Sequence, residues 1–422
     1  LRLRLPYLDT LLAPYQRSGI NLGLTRIQAL LARLGNPQRR VPIVHVAGSN
    51  GKGSVCAYLS SILTAAGYRV GRYTSPHLIR WTERLVLNEQ PIPERCLIQL
   101  LEEIAPQAPA GLPESPTLFE VTTAAAWLYF AQENVDVAVM EVGLGGRLDA
   151  TNVVDDPLVT IITSLSLEHC HILGPTLADI AREKAGILKL GRPAILGTFP
   201  PEAETVVAER VQALNCPAVW VAPAREFTQN GQDWAQWGDF VYPLPLLGRH
   251  QLINSALALA TVESLNRQGF LITPESIQRG FAQTQWPGRL QWLGENFLID
   301  GAHNGAGAEV LAEYVRRLNR PVCWVIGMVK TKDPVEIFRA LLQPGDRLFL
   351  TAVPEHASAD PGELAALAGK LCPGLGQVET EEDLFTALDQ AQKFSPPALV
   401  VLCGSLYLVG HYLQRAQNPG AV

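Results

Sequence analysis

The sequence predicts an α/β fold in two domains, each built on a parallel sheet. Three observations carry this reading. Short apolar runs of strand length alternate with helical patterns along most of the chain. A glycine-rich loop at 48–54 follows one such run and opens a helical pattern. The alternation breaks at Trp286-Pro287-Gly288-Arg289 and then restarts, dividing the chain into 1–287 and a smaller 288–422.

In chain order, Leu24, Ile27, Leu30, Leu31 and Leu34 recur at helical spacing, and Gly35 ends that helix. Residues 42–46 read as a buried strand, and the helix after the glycine-rich loop runs to Ala66, where Gly67 stops it. A strand at 69–73, a helix at 94–103 and a proline-rich connection at 106–116 follow. Next come a helix at 120–132, strands at 135–142 and 158–163, a helix at 177–188 and a strand at 193–196. Residues 227–245, rich in Gln, Trp and Asp, interrupt the rhythm as a loop or small hairpin. Helices at 251–268 and 274–283 precede the break. Beyond it, 297–299, 322–326, 347–352 and 398–402 read as strands with helical patterns between them. No internal repeat or low-complexity tract stands out.

Composition bounds the function. A chain of 422 residues, 47% hydrophobic, can bury two cores. A net charge of −6 argues against a general nucleic-acid or membrane-surface binder. It leaves room for a small anionic ligand, which responds to local charge. The seven cysteines form no C-x-x-C pair, so neither a zinc ribbon nor a redox motif is suggested. Scattered among apolar neighbours, they read as buried free thiols of a reducing, cytoplasmic compartment. Arg, Asp and Pro break the apolar stretches of the opening LRLRLPYLDTLLAP, making it a poor signal peptide. No run approaches the ~20 apolar residues of a membrane span.

The chemistry concentrates in Gly48-Ser49-Asn50-Gly51-Lys52-Gly53-Ser54. Backbone N–H groups of such a loop, backed by a helix N-terminus, form an anion site, and Lys52 adds a point charge for phosphates. Relative to G-x-x-x-x-G-K-[ST], this loop is shorter, and its hydroxyl comes one residue late, at Ser54. The bland alternative is an ordinary glycine-rich turn. A second concentration is Glu141-Val142-Gly143-Leu144-Gly145-Gly146-Arg147-Leu148-Asp149-Ala150-Thr151-Asn152, a carboxylate at a buried strand end followed by a glycine loop. Ligands of open parallel sheets bind at that edge. A solvated strand-end glutamate is the alternative there.

The shortened loop resembles that of the Mur ligase superfamily, and its Gly-Lys-Gly-Ser form resembles the folate branch, which holds folylpolyglutamate synthases and bifunctional dihydrofolate/folylpolyglutamate synthases. Tyr73-Thr74-Ser75-Pro76-His77-Leu78 with Glu83-Arg84, Leu167-Glu168-His169, Glu183-Lys184-Ala185-Gly186, and Gly248-Arg249-His250-Gln251 with Asn254 resemble further segments of that branch. So do Pro287-Gly288-Arg289, Asp300-Gly301-Ala302-His303-Asn304 and Gly404-Ser405-Leu406-Tyr407, so that the resemblance spans nearly the whole chain. Three positions depart from it: Glu168 stands for Asp, Glu89 follows Asn88 where Gly is usual, and Gly305 follows Asn304 where Pro is usual.

The resemblance implies a Mur ligase-like fold: an N-terminal phosphate-loop ATPase domain with a parallel sheet, a smaller C-terminal Rossmann-like α/β domain, and a site in the cleft between them. It implies ATP and Mg²⁺ as cofactors. ATP would be held by Asn50, Gly51, Lys52, Gly53, Ser54, Asn254 at the base, Arg289 at the phosphates, Asp300 at the ribose, and His303. Mg²⁺ would be held by Ser75, Glu141 and His169. Lys184 would carry a carbamate, and Lys52, Lys184 and His169 would be the catalytic groups. Phe119, Glu120, Leu148, Asp149 and Ala150 would form the pteroate pocket. The implied enzyme is a monomer with no nucleic-acid or membrane partner. Its substrates are ATP, L-glutamate and dihydropteroate or a reduced folate, joined through an acyl phosphate. Three rivals are a folylpolyglutamate synthase alone, a cell-wall Mur ligase and a non-catalytic nucleotide-binding paralogue. Against the Mur ligase stand Gly53, where Mur loops usually carry Ser or Thr, and the lack of a UDP-binding domain before the loop. Against the paralogue, every candidate catalytic position holds a competent residue.

Overall fold

The computed structural model describes residues 7–16, 21–108, 115–229, 231–393 and 398–417. Most of the proline-rich connection and the first six residues of the opening segment lie outside them. The chain forms two compact units. The first comprises Leu1–Pro76, Trp81–Pro245 and Leu252–Thr284, and the second His77–Arg80, Leu246–Gln251 and Gln285–Val422. Both are α/β with mostly parallel sheets, as the sequence predicts.

In the first unit, an eight-stranded sheet runs in the order Gln90–Pro91, Leu85–Leu87, Val70–Tyr73, Val137–Glu141, Ile43–Ala47, Val159–Ile162, Ala194–Leu196, Ala218–Trp220. All neighbours pair in parallel except the first two strands, which form an antiparallel hairpin extension. The central strand Ile43–Ala47 is buried along its full length, because helices cover both faces of a parallel sheet. The helix Lys52–Ala65 that follows is buried from Ser54 to Leu63. It packs on the sheet and on the helix Pro274–Gln283, where Ser61 Oγ donates to the Gly280 carbonyl at 2.6 Å and Tyr58 meets Phe281 edge-on.

Register decides what reaches the functional edge. Val46 pairs with Glu141, Ala47 with Ile162, and Tyr73 with Met140. The segments after these four strands therefore leave the sheet side by side at its carboxyl edge. They hold 48–51, 74–75, 142–152 and 163–169. The stretch read as a loop or hairpin is a three-stranded antiparallel meander, Arg225–Gln229, Gln232–Trp237 and Phe240–Pro243.

The second unit has a six-stranded sheet in the order Gln291–Trp292, Phe297–Ile299, Leu399–Cys403, Val322–Ile326, Arg347–Thr351, Gln377–Glu381. Only the first pair is antiparallel. The edge strand Gln377–Glu381 escaped the sequence reading because its residues, QVETE, are polar, as suits an edge. Five of the seven cysteines are buried, Cys96 is partly so, and Cys170 is exposed; none is bridged. The expectation of uniformly buried thiols fails at Cys170, which opens a short surface turn beside His169. No helix among the described residues is long and apolar enough to cross a membrane.

Candidate active site

The phosphate loop is held from the neighbouring strand end. Ser49 N–H donates to the Ser164 carbonyl at 2.8 Å, and Asn50 N–H donates to Ser164 Oγ at 3.0 Å. The Asn50 carbonyl accepts from Thr163 Oγ1 at 2.6 Å and Ser164 Oγ at 3.0 Å. Gly51 turns the chain into the helix at φ +86°, and a Cβ there would lie 2.4 Å from Asn254 Oδ1. Glycine is needed on both counts. Asn254, expected at the nucleotide base, thus packs beneath the loop itself. Gly53 and the buried Ser54 follow in the first helical turn.

Two lysines converge on one carbonyl. Lys52 Nζ donates to Gly48 O at 2.8 Å and to Ser49 O at 3.1 Å, and Lys184 Nζ donates to the same Gly48 O at 2.9 Å. Lys184 is 2% exposed and pairs with Glu168 at 2.6 Å. Burial, with Lys52 adding to it, pulls the Lys184 ammonium down to about 8 against the opposing pull of Glu168. Burial pushes Glu168 up, but Lys184 first and then Lys52 overcome it and hold the carboxyl at about 2. The pair is ionised at neutral pH, with the lysine close to losing its proton. Glu168 is one of the three departures from the family pattern, and nothing local to its segment points to a contact with Lys184. Glu183, the immediate neighbour, faces away and pairs with Arg147 at 2.8 Å.

The buried Glu141 carboxylate accepts the Ser75 backbone N–H at 3.0 Å, which places Ser75 beside the carboxylate. His169 stands at φ +48° at the start of a short turn on the same sheet edge. Among the described residues no group of three or more His, Cys, Asp or Glu side chains could hold a metal by itself. One carboxylate and one hydroxyl suit a hard cation that takes its other ligands from phosphate and water, as Mg²⁺ does.

The glycine loop after Glu141 is closed by Asp149. Its Oδ2 accepts Gly143 N–H at 3.1 Å and Leu144 N–H at 2.9 Å; its Oδ1 accepts Thr151 N–H at 3.0 Å and Thr151 Oγ1–H at 2.6 Å. Burial raises the Asp149 carboxyl, and these four bonds oppose that rise. The loop docks on the Lys184 helix through Arg147 N–H to Glu183 O at 2.8 Å. The Phe119 ring lies against Gly143, where a Cβ would be 2.4 Å from it. Leu148 is half-buried, while Ala150 belongs to the hydrophobic core. Glu120 is occupied structurally: it forms a capping box with Thr117 and an ion pair with Arg26 at 3.1 Å.

In the second unit, Asp300 ties two turns together, accepting Leu290 N–H at 2.8 Å and Ala302 N–H at 2.7 Å. Burial raises its carboxyl, and Arg289 and both amides hold it back. Arg289 donates to the Gly288 carbonyl, and the His303 ring lies 2.8 Å from Gly301 O.

The Mur ligase middle domain matches residues 46–262, and the dihydrofolate synthetase C-terminal domain matches 291–415. That pairing defines a Mur-type ligase. A Bacillus subtilis dihydrofolate synthase/folylpolyglutamate synthase is 38% identical, over 94% of this chain and 95% of its own. The solved Mycobacterium tuberculosis folylpolyglutamate synthase complexed with ADP matches at 34% identity with a TM-score of 0.86, covering 96% of this chain and 97% of that one. The Escherichia coli FolC structure in complex with DHPP and ADP matches at 31% identity and 0.81, covering 98% and 97%. The chain belongs to the dihydrofolate synthase/folylpolyglutamate synthase family, and so is an ATP-dependent acid–amino-acid ligase.

Proposed function

We propose that this ligase joins L-glutamate to dihydropteroate and to reduced folates. The observation that carries the reading is the convergence of Lys52 and Lys184 on the Gly48 carbonyl of a shortened phosphate loop. An acceptor carboxylate oxygen attacks the γ-phosphorus of ATP, and the bond to the bridging β–γ oxygen breaks with ADP leaving. The glutamate amine then attacks the acyl carbon, loses its proton, and inorganic phosphate departs. Lys52, freed from the loop carbonyls, neutralises charge on the transferred phosphoryl group. Asn50, Gly51, Gly53 and Ser54 cradle the phosphates, and Asn254 keeps that cradle in shape. Arg289, Asp300 and His303 complete the nucleotide contacts. Mg²⁺, when bound, supplies further charge neutralisation at the phosphates, and Ser75, Glu141 and His169 would hold it.

Lys184 is proposed to carry a carbamate. Only a neutral amine adds CO₂, and burial moves Lys184 toward that state. Phe119 and Leu148 line the acceptor pocket, Asp149 and Ala150 shape its loop, and Glu120 anchors the helix behind it. The enzyme would work as a cytoplasmic monomer. Glutamate-dependent ADP release with dihydropteroate, with a reduced folate and with a UDP-muramoyl peptide tests the reading. Turnover with both folate-type acceptors is expected. Turnover with the reduced folate alone would leave a folylpolyglutamate synthase, and turnover with the UDP precursor would overturn the folate assignment. For Lys184, a carbamate signal from ¹³CO₂-equilibrated enzyme, lost in Lys184→Ala, is the expected result.

A further inference from the structure

A histidine interrupts the otherwise apolar central strand Ile43-Val44-His45-Val46-Ala47, three residues before the phosphate loop begins. His45 is 1% exposed, and a buried imidazole is costly unless it is hydrogen-bonded. Its Nε2 lies 2.8 Å from the hydroxyl of Thr151, itself fully buried. Thr151 has one hydroxyl proton and gives it to Asp149 Oδ1 at 2.6 Å. The hydroxyl must therefore accept from His45, which places a proton on Nε2, and burial keeps the ring neutral. Asp149 in turn gathers the Gly143 and Leu144 amides. An unbroken relay thus runs from the strand that carries the phosphate loop to the glycine loop proposed to face the acceptor.

The same glycine loop is pinned on its other side. Asn152 Nδ2 donates to Arg147 O at 3.0 Å and to Gly186 O at 3.2 Å, tying it to the end of the Lys184 helix. With that side fixed, the relay sets how far the Gly143–Leu144 segment stands from the phosphate-loop strand. We infer that His45 and Thr151 are positioning residues, which place the acceptor loop relative to the phosphate loop by holding Asp149. This inference rests on the glycine loop serving the folate-type acceptor.

The test compares Thr151→Val with Thr151→Ser, and His45→Asn with His45→Gln, whose amide nitrogen reaches where Nε2 stood. Steady-state kinetics should show the acceptor KM raised about tenfold in Thr151→Val and His45→Asn, the effect of one lost hydrogen bond. The ATP KM should stay within about twofold, and Thr151→Ser and His45→Gln should stay near the unmutated enzyme. Peptides covering 143–152 should exchange amide hydrogens about tenfold faster in Thr151→Val, and those covering 48–54 should not change. Should Thr151→Val fail to fold, the His45 pair decides by the same two measurements. Equal rises in both KM values, or unchanged exchange at 143–152, would overturn the inference. An unmutated enzyme that turns over no folate-type acceptor sinks the functional reading instead, and hydrogen exchange alone then judges the relay.

Discussion

Glu89 stands at φ +62° directly after Asn88 at φ +48°, a turn geometry that favours Asn-Gly. Its side chain explains the exchange: Glu89 pairs with the buried Arg72 at 2.7 Å and accepts from Ser60. Replacing it by Gly relieves roughly 1 kcal/mol of backbone strain. It also removes the carboxylate from an Arg72 side chain that is only 9% exposed, a larger loss. Glu89→Gly should therefore lower the urea midpoint, by about 1–2 kcal/mol in stability. A raised midpoint would show that strain dominates. Buried His45 and half-buried His250 both contribute to acid sensitivity. Burial, with a small push from Lys189, lowers His45 to about 3, and burial with Arg289 lowers His250 to about 4. Above pH 6.5 these rings are neutral in both folded and unfolded chains. As pH falls through 6.5 the unfolded chain takes up protons that the native rings refuse, so stability declines toward the folded values. Each ring adds a slope of up to about 1.4 kcal/mol per pH unit. Urea midpoints at pH 6.5 and 5 should converge more closely in His45→Gln than in the unmutated protein.

At the scale of elements, the helix Leu177–Ala185 is positioned by its end. Gly186 has ordinary helical φ, so only space demands glycine: a Cβ there would lie 2.3 Å from Arg147 Cβ and 2.6 Å from Arg147 Cα. Gly186→Ala should push the glycine loop off the helix that presents Lys184. Expected are a stability loss of about 1–3 kcal/mol from overpacking and a kcat loss on the order of tenfold or more from misplacement. Gly369, exposed in the helix Pro361–Leu371 with open space around its Cα, is the contrast. Gly369→Ala should gain roughly 0.5–1 kcal/mol with kcat unchanged. Denaturation and turnover of both variants check the pair, and normal kcat in Gly186→Ala would mean that this contact does not position Lys184.

For the whole molecule, a ligand that binds only the folded chain raises its unfolding temperature by mass action. At a hundredfold excess over Kd this amounts to about 2.7 kcal/mol. A non-hydrolysable ATP analogue with Mg²⁺ should therefore shift the melting temperature of the unmutated chain. Lys52→Ala should melt normally without nucleotide, lose most of that shift, and drop kcat on the order of 10²–10³. A full shift with normal kcat would mean that the loop serves no phosphoryl transfer.

The sequence by itself determined the fold class, most strand and helix positions, and the phosphate loop. Those follow from local periodicity and from glycine, lysine and serine at fixed spacing along one strand–loop–helix unit. Lys52 is nominated by its own loop, whereas Lys184 is nominated only by the family resemblance, since a Glu-Lys pair on a helix is otherwise a solvated face. Only tertiary structure decided that their ammonium groups share the Gly48 carbonyl, that Glu168 rather than Glu183 meets Lys184, and that Asp149 is consumed within its own loop. The relay from His45 to Thr151 was equally hidden, although a histidine inside an apolar strand was a signal that could have been followed. The contacts of Lys184 with Gly48 and of His45 with Thr151 join residues carried on, or on segments after, different strands of the sheet, 106 positions apart for His45 and Thr151. Parallel-strand register sets them, and no pattern local to either segment encodes that register.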